Sequence, residues 1–399
     1  MNSFACRAFQ CCFGAGARLL PWRTPEVYTG DGSLLRVADI LRENGLRRPF
    51  VIASRRQCAD EHFRRLQEVL DMQDILLSIF SAVEPNPSVE TVEKIAEQYR
   101  IDRCDCFLVI GGGSPMDAAK AAAALLVRPN RSLSSLVGLL KVRRRIPPFI
   151  AVPTTAGTGS ETTIAAVITG RDHRKYAVSD LCLIPRYAIL DPTLSAGLPP
   201  HITAETGMDA LTHAVEAYLS RFYNTRKTRE QAERAVVTIF SHLERAYRDG
   251  ASLPDRAAML QASFDAGAAF TRASVGNVHA IAHTLGGLYG TAHGLANAVL
   301  LPIVLEDYGA AAYPRLARLA HLVGIQEASA EASARAFIAE IRAMNARMGI
   351  PDHFDCIRSE DIPLMASWAC REANPVYPVP VIYDQARFAR VIERSCVKP

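Results

Sequence analysis

The residues best suited to metal chemistry lie in the second half of the chain. Asp209 and His213 are four residues apart, so on a helix they lie on one face, close enough to share one ion. Downstream, His279, His283 and His293 fall within one short stretch, although the chain has only ten histidines. Aspartate and imidazole suit Fe²⁺ or Zn²⁺, and a catalytic ion keeps one position open for substrate. We therefore predict a metal site rather than a plain hydrogen-bonded contact between helices, and the spacing leaves open which of the three downstream histidines bind.

A glycine-rich loop in the first half has the features of a phosphate-binding site. Three glycines follow the apolar run 107–110, namely Gly111, Gly112 and Gly113. Ser114, Pro115 and Asp117 then occupy the positions of an N-cap, a first-turn proline and a capping-box acid, which predicts a helix whose positive end faces the loop. The spacing matches neither GxGxxG nor GxxxxGK[ST]. The alternative is a tight turn that needs glycine for a positive φ.

A second polar loop supports the phosphate-binding interpretation. It spans residues 153–161 (PTTAGTGSE), contains Thr154, Thr155 and Thr158, and follows another buried apolar run at 149–152. Two such loops at the carboxyl ends of parallel strands indicate one dinucleotide bound in one crevice.

The elements that must position these residues differ between the two halves. In the first half short apolar runs alternate with helical patterns, as in parallel βαβ units. We predict strands at 50–54, 75–80, 107–110 and 149–152, and a helix at 60–70. Asn86 and Pro87 predict another helix that runs to about Tyr99, with the asparagine as N-cap.

From residue 203 onward the apolar residues recur at helical spacing almost to the end of the chain. The predicted fold is an α/β N-terminal domain that binds a dinucleotide, followed by an all-α C-terminal domain that binds metal and substrate. The predicted limits are 1–24 for an N-terminal extension, 25–197 for the α/β domain and 198–399 for the helical domain.

Composition excludes several classes of partner. The 45 basic and 41 acidic residues leave a net charge of +4 and are dispersed, so we expect no nucleic-acid partner. No apolar run reaches the roughly 18 residues of a membrane span, so we expect no membrane partner. Ten cysteines without a CxxC pair predict reduced thiols in the cytoplasm. We interpret the basic first 24 residues as an amphipathic extension rather than a targeting signal.

Six longer motifs together resemble the signatures of one enzyme family. They are GGGSPMDAAK, PTTAGTGSE, DPTLSAGLPP, TGMDALTHAVEAY, NVHAIAHTLGGLYGTAHGLANAVLLP and NPVYPVP. The chain resembles the iron-dependent (group III) alcohol dehydrogenases from about Val27 to Arg394, nearly its whole length. The resemblance implies the two-domain architecture that this family shares with dehydroquinate synthase, a divalent metal (Fe²⁺ before Zn²⁺) and NAD or NADP.

The resemblance also assigns residues. It implies the metal ligands Asp209, His213, His279 and His293. His283 matches a family histidine that lies beside the nicotinamide and is not a ligand, which makes it the expected catalytic residue. The pyrophosphate loop is matched by Gly111, Gly112, Gly113, Ser114 and Asp117, the second cofactor loop by Thr154, Thr155 and Thr158, and a lysine that reaches the cofactor ribose by Lys175.

The expected reaction is hydride transfer between the nicotinamide and a small alcohol or aldehyde, with the metal polarising the carbonyl oxygen and His283 relaying a proton. Two alternatives are a dehydroquinate-synthase-like lyase that uses NAD transiently and a non-catalytic scaffold that retains the fold. The resemblance favours the dehydrogenase over the first, and net turnover of the cofactor with a simple aldehyde would decide between them. The intact aspartate and histidine set argues against the second. We expect a homodimer.

The end of the first predicted strand bears on the choice of cofactor. NAD-preferring members carry an aspartate there, which bonds the ribose hydroxyls and repels a 2′-phosphate. This chain has Ser54 followed by Arg55 and Arg56, the change expected if a 2′-phosphate is bound. The alternative is an ordinary surface arginine pair. We therefore expect NADP(H) preference or dual use, with Ser54, Arg55 and Asn86 in the cofactor-binding set.

Overall fold

The computed structural model describes residues 3–172 and 174–396. The chain divides into two compact units. One is Pro21–Gly197, and the other combines Leu198–Pro399 with Met1–Leu20. The predicted architecture, an α/β N-terminal part and an all-α C-terminal part, is confirmed. Among the described residues no helix is long and apolar enough to cross a membrane.

The strands are β1 (Glu26–Thr29), β2 (Pro49–Ala53), β3 (Ser78–Phe80), β4 (Cys106–Gly111), β5 (Gly138–Leu139), β6 (Phe149–Pro153), β7 (Ala165–Thr169), β8 (Lys175–Ser179) and β9 (Tyr187–Leu190). The helices of the first unit and the N-terminal helix are α1 (Ser3–Ala17), α2 (Arg36–Glu43), α3 (Arg55–Cys58), α4 (Glu61–Asp71), α5 (Val89–Ile101), α6 (Gly113–Val127) and α7 (Leu133–Leu136). The remaining helices are α8 (Pro200–Leu219), α9 (Arg226–Arg248), α10 (Leu253–Ala273), α11 (Asn277–Tyr289), α12 (His293–Tyr308), α13 (Tyr313–Leu322), α14 (Ala330–Arg347), α15 (Ile362–Ala373) and α16 (Gln385–Arg394).

Six parallel strands form the main sheet of the first unit, in the order β1-β9-β6-β4-β2-β3. Its central strands are buried on both faces: Phe107 and Val109 of β4 belong to one hydrophobic cluster, and Leu108 and Ile110 belong to the other. Burial on both faces explains why these strands read as continuous apolar runs. A smaller sheet pairs β5 with β8 in parallel and β8 with β7 antiparallel.

The register of the main sheet brings three strand ends level. Ala53 of β2 pairs with Ile110 of β4, and Gly111 of β4 pairs with Pro153 of β6. The loops that follow β4 and β6 therefore start side by side, and the segment after β2 starts next to them.

Two helix starts differ from the prediction. The N-cap of α5 is Ser88, whose hydroxyl accepts a hydrogen bond from the amide of Thr91, whereas Asn86 lies before it with a left-handed φ of 57°. The N-cap of α6 is Gly112 and makes no side-chain capping bond, so Ser114 already lies inside the helix. In both cases a neighbouring residue with the required extended backbone takes the capping position. The predicted strand at 75–80 is also shorter, because only Ser78–Phe80 pairs with β2.

Two helices of the second unit are buried on nearly every side. Most residues of α8 are inaccessible, and a side chain at Gly207 would collide with Leu243 of α9. Most of α12 after its first turn is buried as well. A helix buried in this way must pair every polar side chain it carries.

A fully buried lysine ties α6 to the segment that follows the second polar loop. The ammonium of Lys120 donates to the carbonyl oxygens of Ser160 (2.6 Å) and Thr163 (2.9 Å) and to the Thr163 hydroxyl (2.8 Å). The helix that begins at the glycine loop and the end of the second loop are thus fixed to each other.

Replacing Lys120 by methionine should lower the free energy of unfolding by roughly 2–4 kcal/mol, because buried carbonyl oxygens lose their donor. The urea midpoint of unfolding, followed by circular dichroism, measures this change. Lys94→Met removes an exposed lysine from α5 and should leave the midpoint unchanged. Equal midpoints for the two variants would contradict this role for Lys120.

Candidate active site

Three helices of the second unit bring an aspartate and three histidines together. Asp209 and His213 lie on α8, His279 on the first turn of α11, and His293 is the first residue of α12. One potential ligand atom from each of the four lies within 4.8 Å of the others. We call these four residues the Asp–His cluster.

The nitrogen atoms of the Asp–His cluster face one another closely. His213 Nε2 lies 2.9 Å from His279 Nε2, a distance at which two imidazole nitrogens need a proton or a cation between them. The carboxylate Oδ1 of Asp209 lies 3.9 Å from His279 Nε2 and 3.7 Å from His293 Nε2. The ring of His213 stacks on Phe270, with centroids 4.1 Å apart, which fixes its orientation. Three imidazoles and one carboxylate are a donor set that fits a first-row divalent ion.

Asn297, which the sequence interpretation missed, is fully buried beside the Asp–His cluster. Its amide nitrogen donates to Asp209 Oδ1 at 2.7 Å and lies 3.1 Å from His279 Nε2 and 3.2 Å from His293 Nε2. Three acceptor atoms thus surround the positively polarised NH₂ group of Asn297. A cation bound at this point would satisfy the same acceptors. The signal in the sequence is its position, four residues after His293 on one helix face.

Glu216, also missed, holds His279 from the side opposite the cluster. Its Oε2 lies 2.6 Å from His279 Nδ1, and it accepts backbone hydrogen bonds from Gly276 (2.7 Å) and Val278 (2.8 Å). Burial raises the pKa of Glu216 to about 7, and the two backbone N–H groups act against that rise. A carboxylate on Nδ1 leaves Nε2 of His279 as the ligand atom. Glu216 lies three residues after His213, on the same face of α8.

His283 lies next to the cluster and has a different partner. Its ring stacks on His293 with centroids 5.2 Å apart, but its Nδ1 lies 2.6 Å from Glu372 Oε1. Glu372 also accepts a hydrogen bond from the hydroxyl of Tyr377 at 2.7 Å. Burial acts to raise the pKa of Glu372, but the nearby His283 and the two hydrogen bonds lower it below its usual value. The sequence interpretation did not identify Glu372 or Tyr377.

In the first unit the two polar loops pack directly against each other. A side chain at Gly112 would lie 3.0 Å from the Thr155 hydroxyl, and one at Gly113 would lie 2.9 Å from the Thr158 methyl. At Gly111 it would lie 2.8 Å from the ring of Pro115. None of the three glycines has a positive φ, so the tight-turn alternative is wrong: the glycines allow close packing.

The other predicted cofactor residues lie around these loops. The Ser114 hydroxyl accepts a hydrogen bond from the backbone of Asn86 at 3.3 Å. Asp117, on α6, is partly buried and accepts a hydrogen bond from the Ser160 hydroxyl at 3.1 Å. Burial raises the pKa of Asp117 to about 6, with Lys120 opposing the rise. Lys175 is the first residue of β8 and contributes to the same electrostatic environment.

The segment after β2 is joined to the second loop. Ser54 caps α3 through a capping box with Gln57. The side-chain NH₂ group of Gln57 donates to the Thr154 hydroxyl at 3.0 Å. Arg55 and Arg56 are exposed, and Arg56 donates to the carbonyl of Gly197 at 3.3 Å. Gln57 is a further residue that the sequence interpretation missed.

Comparison with known proteins identifies the family. The sequence model of iron-containing alcohol dehydrogenase matches residues 24–192, and that of the C-terminal part of the Fe-containing alcohol dehydrogenase family matches 203–394. The chain is 40% identical to 1,3-propanediol dehydrogenase of Klebsiella pneumoniae over 306 residues, which cover 75% of this chain and 78% of the relative.

Solved structures agree with these matches. The crystal structure of 1,3-propanediol oxidoreductase has a TM-score of 0.89 at 33% identity and covers 95% of this chain and 100% of its own. Sulfoacetaldehyde reductase from Bifidobacterium kashiwanohense, in complex with NAD⁺, has a TM-score of 0.84 at 27% identity. The match covers 96% of this chain and 100% of the reductase chain. On the matches to both of its halves, this chain belongs to the iron-containing alcohol dehydrogenase family.

Proposed function

We propose that this oxidoreductase transfers a hydride between a nicotinamide dinucleotide and a small aldehyde or its alcohol, with a divalent metal, Fe²⁺ before Zn²⁺, at the Asp–His cluster. The observation that carries the proposal is the convergence of three imidazoles and one carboxylate within 4.8 Å inside a buried helical unit. The names of the relatives, 1,3-propanediol dehydrogenase and sulfoacetaldehyde reductase, support a small carbonyl substrate.

When bound, the metal polarises the substrate carbonyl oxygen as a Lewis acid and the nicotinamide carries the hydride. Asp209, His213, His279 and His293 hold the metal, and Asp209 offsets part of its charge. Glu216 keeps the proton of His279 on Nδ1, and Asn297 restrains the Asp209 carboxylate. These residues therefore maintain a fixed polar environment at the reacting oxygen.

His283 exchanges the substrate proton with solvent in this proposal. It is partly exposed, unlike His279, and the Glu372 carboxylate at 2.6 Å from Nδ1 fixes the orientation of its ring. Tyr377 holds Glu372 in turn through its hydroxyl. A histidine oriented by a carboxylate is a common general acid–base pair.

The two polar loops of the first unit hold the cofactor pyrophosphate. The residues proposed for this role are Gly111, Gly112, Gly113, Ser114, Asp117, Thr154, Thr155 and Thr158, with Asn86 and Lys175 at the periphery. The first turn of the 15-residue helix α6 offers backbone N–H groups and the positive end of its dipole. The packing of Thr155 and Thr158 on the glycines supports a single rigid anion site.

We further propose that the enzyme is a cytoplasmic homodimer. All ten cysteines are free thiols, which supports a reducing compartment. Light scattering during size-exclusion chromatography tests the homodimer.

Purified, metal-loaded enzyme tests the reaction directly. We expect a small aldehyde such as propanal to cause stoichiometric oxidation of NADH or NADPH. A lyase of the dehydroquinate-synthase type would leave the cofactor unchanged, and a scaffold would show no turnover; either result would overturn the proposal.

The metal ligands and the proton relay should respond differently to mutation. His279→Ala should lose the metal, because only three ligands are left. His283→Ala should retain the metal and lose roughly 10²- to 10⁴-fold in kcat, the usual contribution of a general acid–base group. Metal content and kcat are measured on both purified variants. The exposed His201 on α8 provides the control, since His201→Ala should change neither quantity. A metal-free His283→Ala together with a loaded His279→Ala would reverse the assignment.

Glu216→Gln should weaken metal binding by roughly 10- to 100-fold, because a neutral amide no longer fixes the His279 tautomer. Competition with a chelator measures the affinity. Glu372→Gln is the matched control, since it also removes a carboxylate from a histidine partner and should lower kcat without changing metal affinity. Equal metal affinities for wild type and Glu216→Gln would contradict this role.

The cofactor preference depends on the residues after β2. We propose that Arg55 binds a 2′-phosphate and that the enzyme prefers NADPH or uses both cofactors. Ser54→Asp should raise the ratio of kcat/KM for NADH over NADPH, and the fold should tolerate it because aspartate also serves as an N-cap. Arg55→Ala should lower kcat/KM for NADPH alone, whereas Arg64→Ala, an exposed arginine on α4, should not. Strong NADH selectivity in the wild type, unaffected by Arg55→Ala, would contradict the proposal.

A further inference from the structure

The N-terminal helix α1 lies outside the residues that the two family models match, yet it packs within the helical unit. Its buried positions recur along one face: Cys6, Gln10, Gly14 and Ala17. Gly14 allows a close approach, since a side chain there would lie 2.8 Å from the carbonyl oxygen of Phe222. This face of α1 is therefore packed closely against the rest of the helical unit.

The hydrogen-bonded part of the contact is made to a proline-rich segment, residues 374–380 (NPVYPVP), which forms neither helix nor strand. Arg7 donates to the carbonyl oxygens of Val379 (2.7 Å) and Pro380 (2.8 Å). Gln10 donates to those of Pro375 (3.0 Å) and Tyr377 (2.7 Å). Two side chains of α1 thus satisfy four carbonyl groups of this segment.

The carbonyls of this segment have one internal donor, the Val379 N–H to the Tyr377 carbonyl at 2.9 Å, and otherwise accept hydrogen bonds from other parts of the unit. Its prolines have no N–H group, so it cannot pair its own carbonyls through a regular ladder. Gln10 is fully buried, and its side-chain oxygen accepts a bond from Arg7 at 3.0 Å. Burial lowers the pKa of Arg7 to about 10, which still leaves the guanidinium charged at neutral pH. The Arg7–Gln10 pair therefore acts as one rigid donor unit.

The segment also contacts the proposed proton relay, the Glu372–His283 pair. Tyr377, whose carbonyl oxygen is held by Gln10, donates its hydroxyl to Glu372, and Glu372 holds Nδ1 of His283. Tyr377 therefore connects α1 to the histidine beside the Asp–His cluster, with its backbone held by Gln10 and its hydroxyl bound to Glu372.

We propose that Arg7 and Gln10 are positioning residues for the reaction: by fixing segment 374–380 they place Tyr377, and through it the Glu372–His283 pair. The proposal rests on the proposed role of His283 as proton relay. The N-terminal helix thus contributes to catalysis by positioning the Glu372–His283 pair.

The test combines Gln10→Leu, Arg7→Met and Tyr377→Phe in the full-length, metal-loaded enzyme. Each single variant should lower kcat by roughly tenfold, with KM for the aldehyde and metal content unchanged, and should increase the solvent deuterium isotope effect on kcat. Arg7→Lys keeps one charged donor and should restore part of kcat. Arg18→Met, which removes an exposed arginine just beyond α1, is the control and should behave as wild type.

A double-mutant cycle separates positioning from general stability. In the Tyr377→Phe background Gln10→Leu should lower kcat no further, because the hydrogen bond from Tyr377 to Glu372 is already lost. Additive losses, or wild-type kcat in folded, metal-loaded Gln10→Leu and Arg7→Met, would overturn the proposal. If Gln10→Leu does not fold, the Arg7→Met and Arg7→Lys pair decides.

Hydrogen exchange distinguishes failure of this inference from failure of the proposed function. The backbone amides of the four non-proline residues of this segment (Asn374, Val376, Tyr377 and Val379) should exchange faster in Arg7→Met than in wild type. Unchanged exchange would overturn the positioning role. If exchange increases but His283→Ala retains full activity, the relay itself is wrong.

Discussion

A helix with almost no exposed surface cannot leave a carboxylate or an imidazole without a partner, and α8 carries Asp209, His213 and Glu216 within its buried length. The rest of the helical unit is arranged around this requirement. The first turn of α11 and its N-cap Gly276 supply His279 and two backbone donors to Glu216, and α12 supplies His293 at its first position. The polar groups stabilise one another only as a set, which explains why three helix segments distant in sequence meet at this point.

The first unit meets a different constraint, the close approach of two loops at level strand ends. The glycines after β4 have ordinary backbone conformations, and their lack of a side chain allows Thr155 and Thr158 to pack against them. Behind the loops, Lys120 and Asp117 connect α6 to the end of the second loop through Ser160. An anion site built from backbone groups needs this rigidity, because small shifts misdirect its donors.

The sequence predicted the parts of the molecule that local pattern determines. Apolar runs located the central strands, the i,i+4 spacing placed Asp209 and His213 on one face, and the family motifs singled out His279 and His293. It did not predict partners that depend on tertiary packing. Glu216 and Asn297 share helix faces with the histidines, and their spacing could have indicated their role. The hydrogen bond between Gln10 and Tyr377 joins residues 367 positions apart, and no local pattern in the sequence predicts it.

The central claim is that the Asp–His cluster binds the catalytic ion. X-ray absorption at the iron edge of wild-type enzyme loaded with Fe²⁺ under anaerobic conditions tests it most directly. The account predicts one ion per chain, a first shell of nitrogen and oxygen only, and the outer-shell scattering of three imidazoles. Sulfur in the first shell, or the absence of imidazole scattering, would place the ion elsewhere and contradict the account.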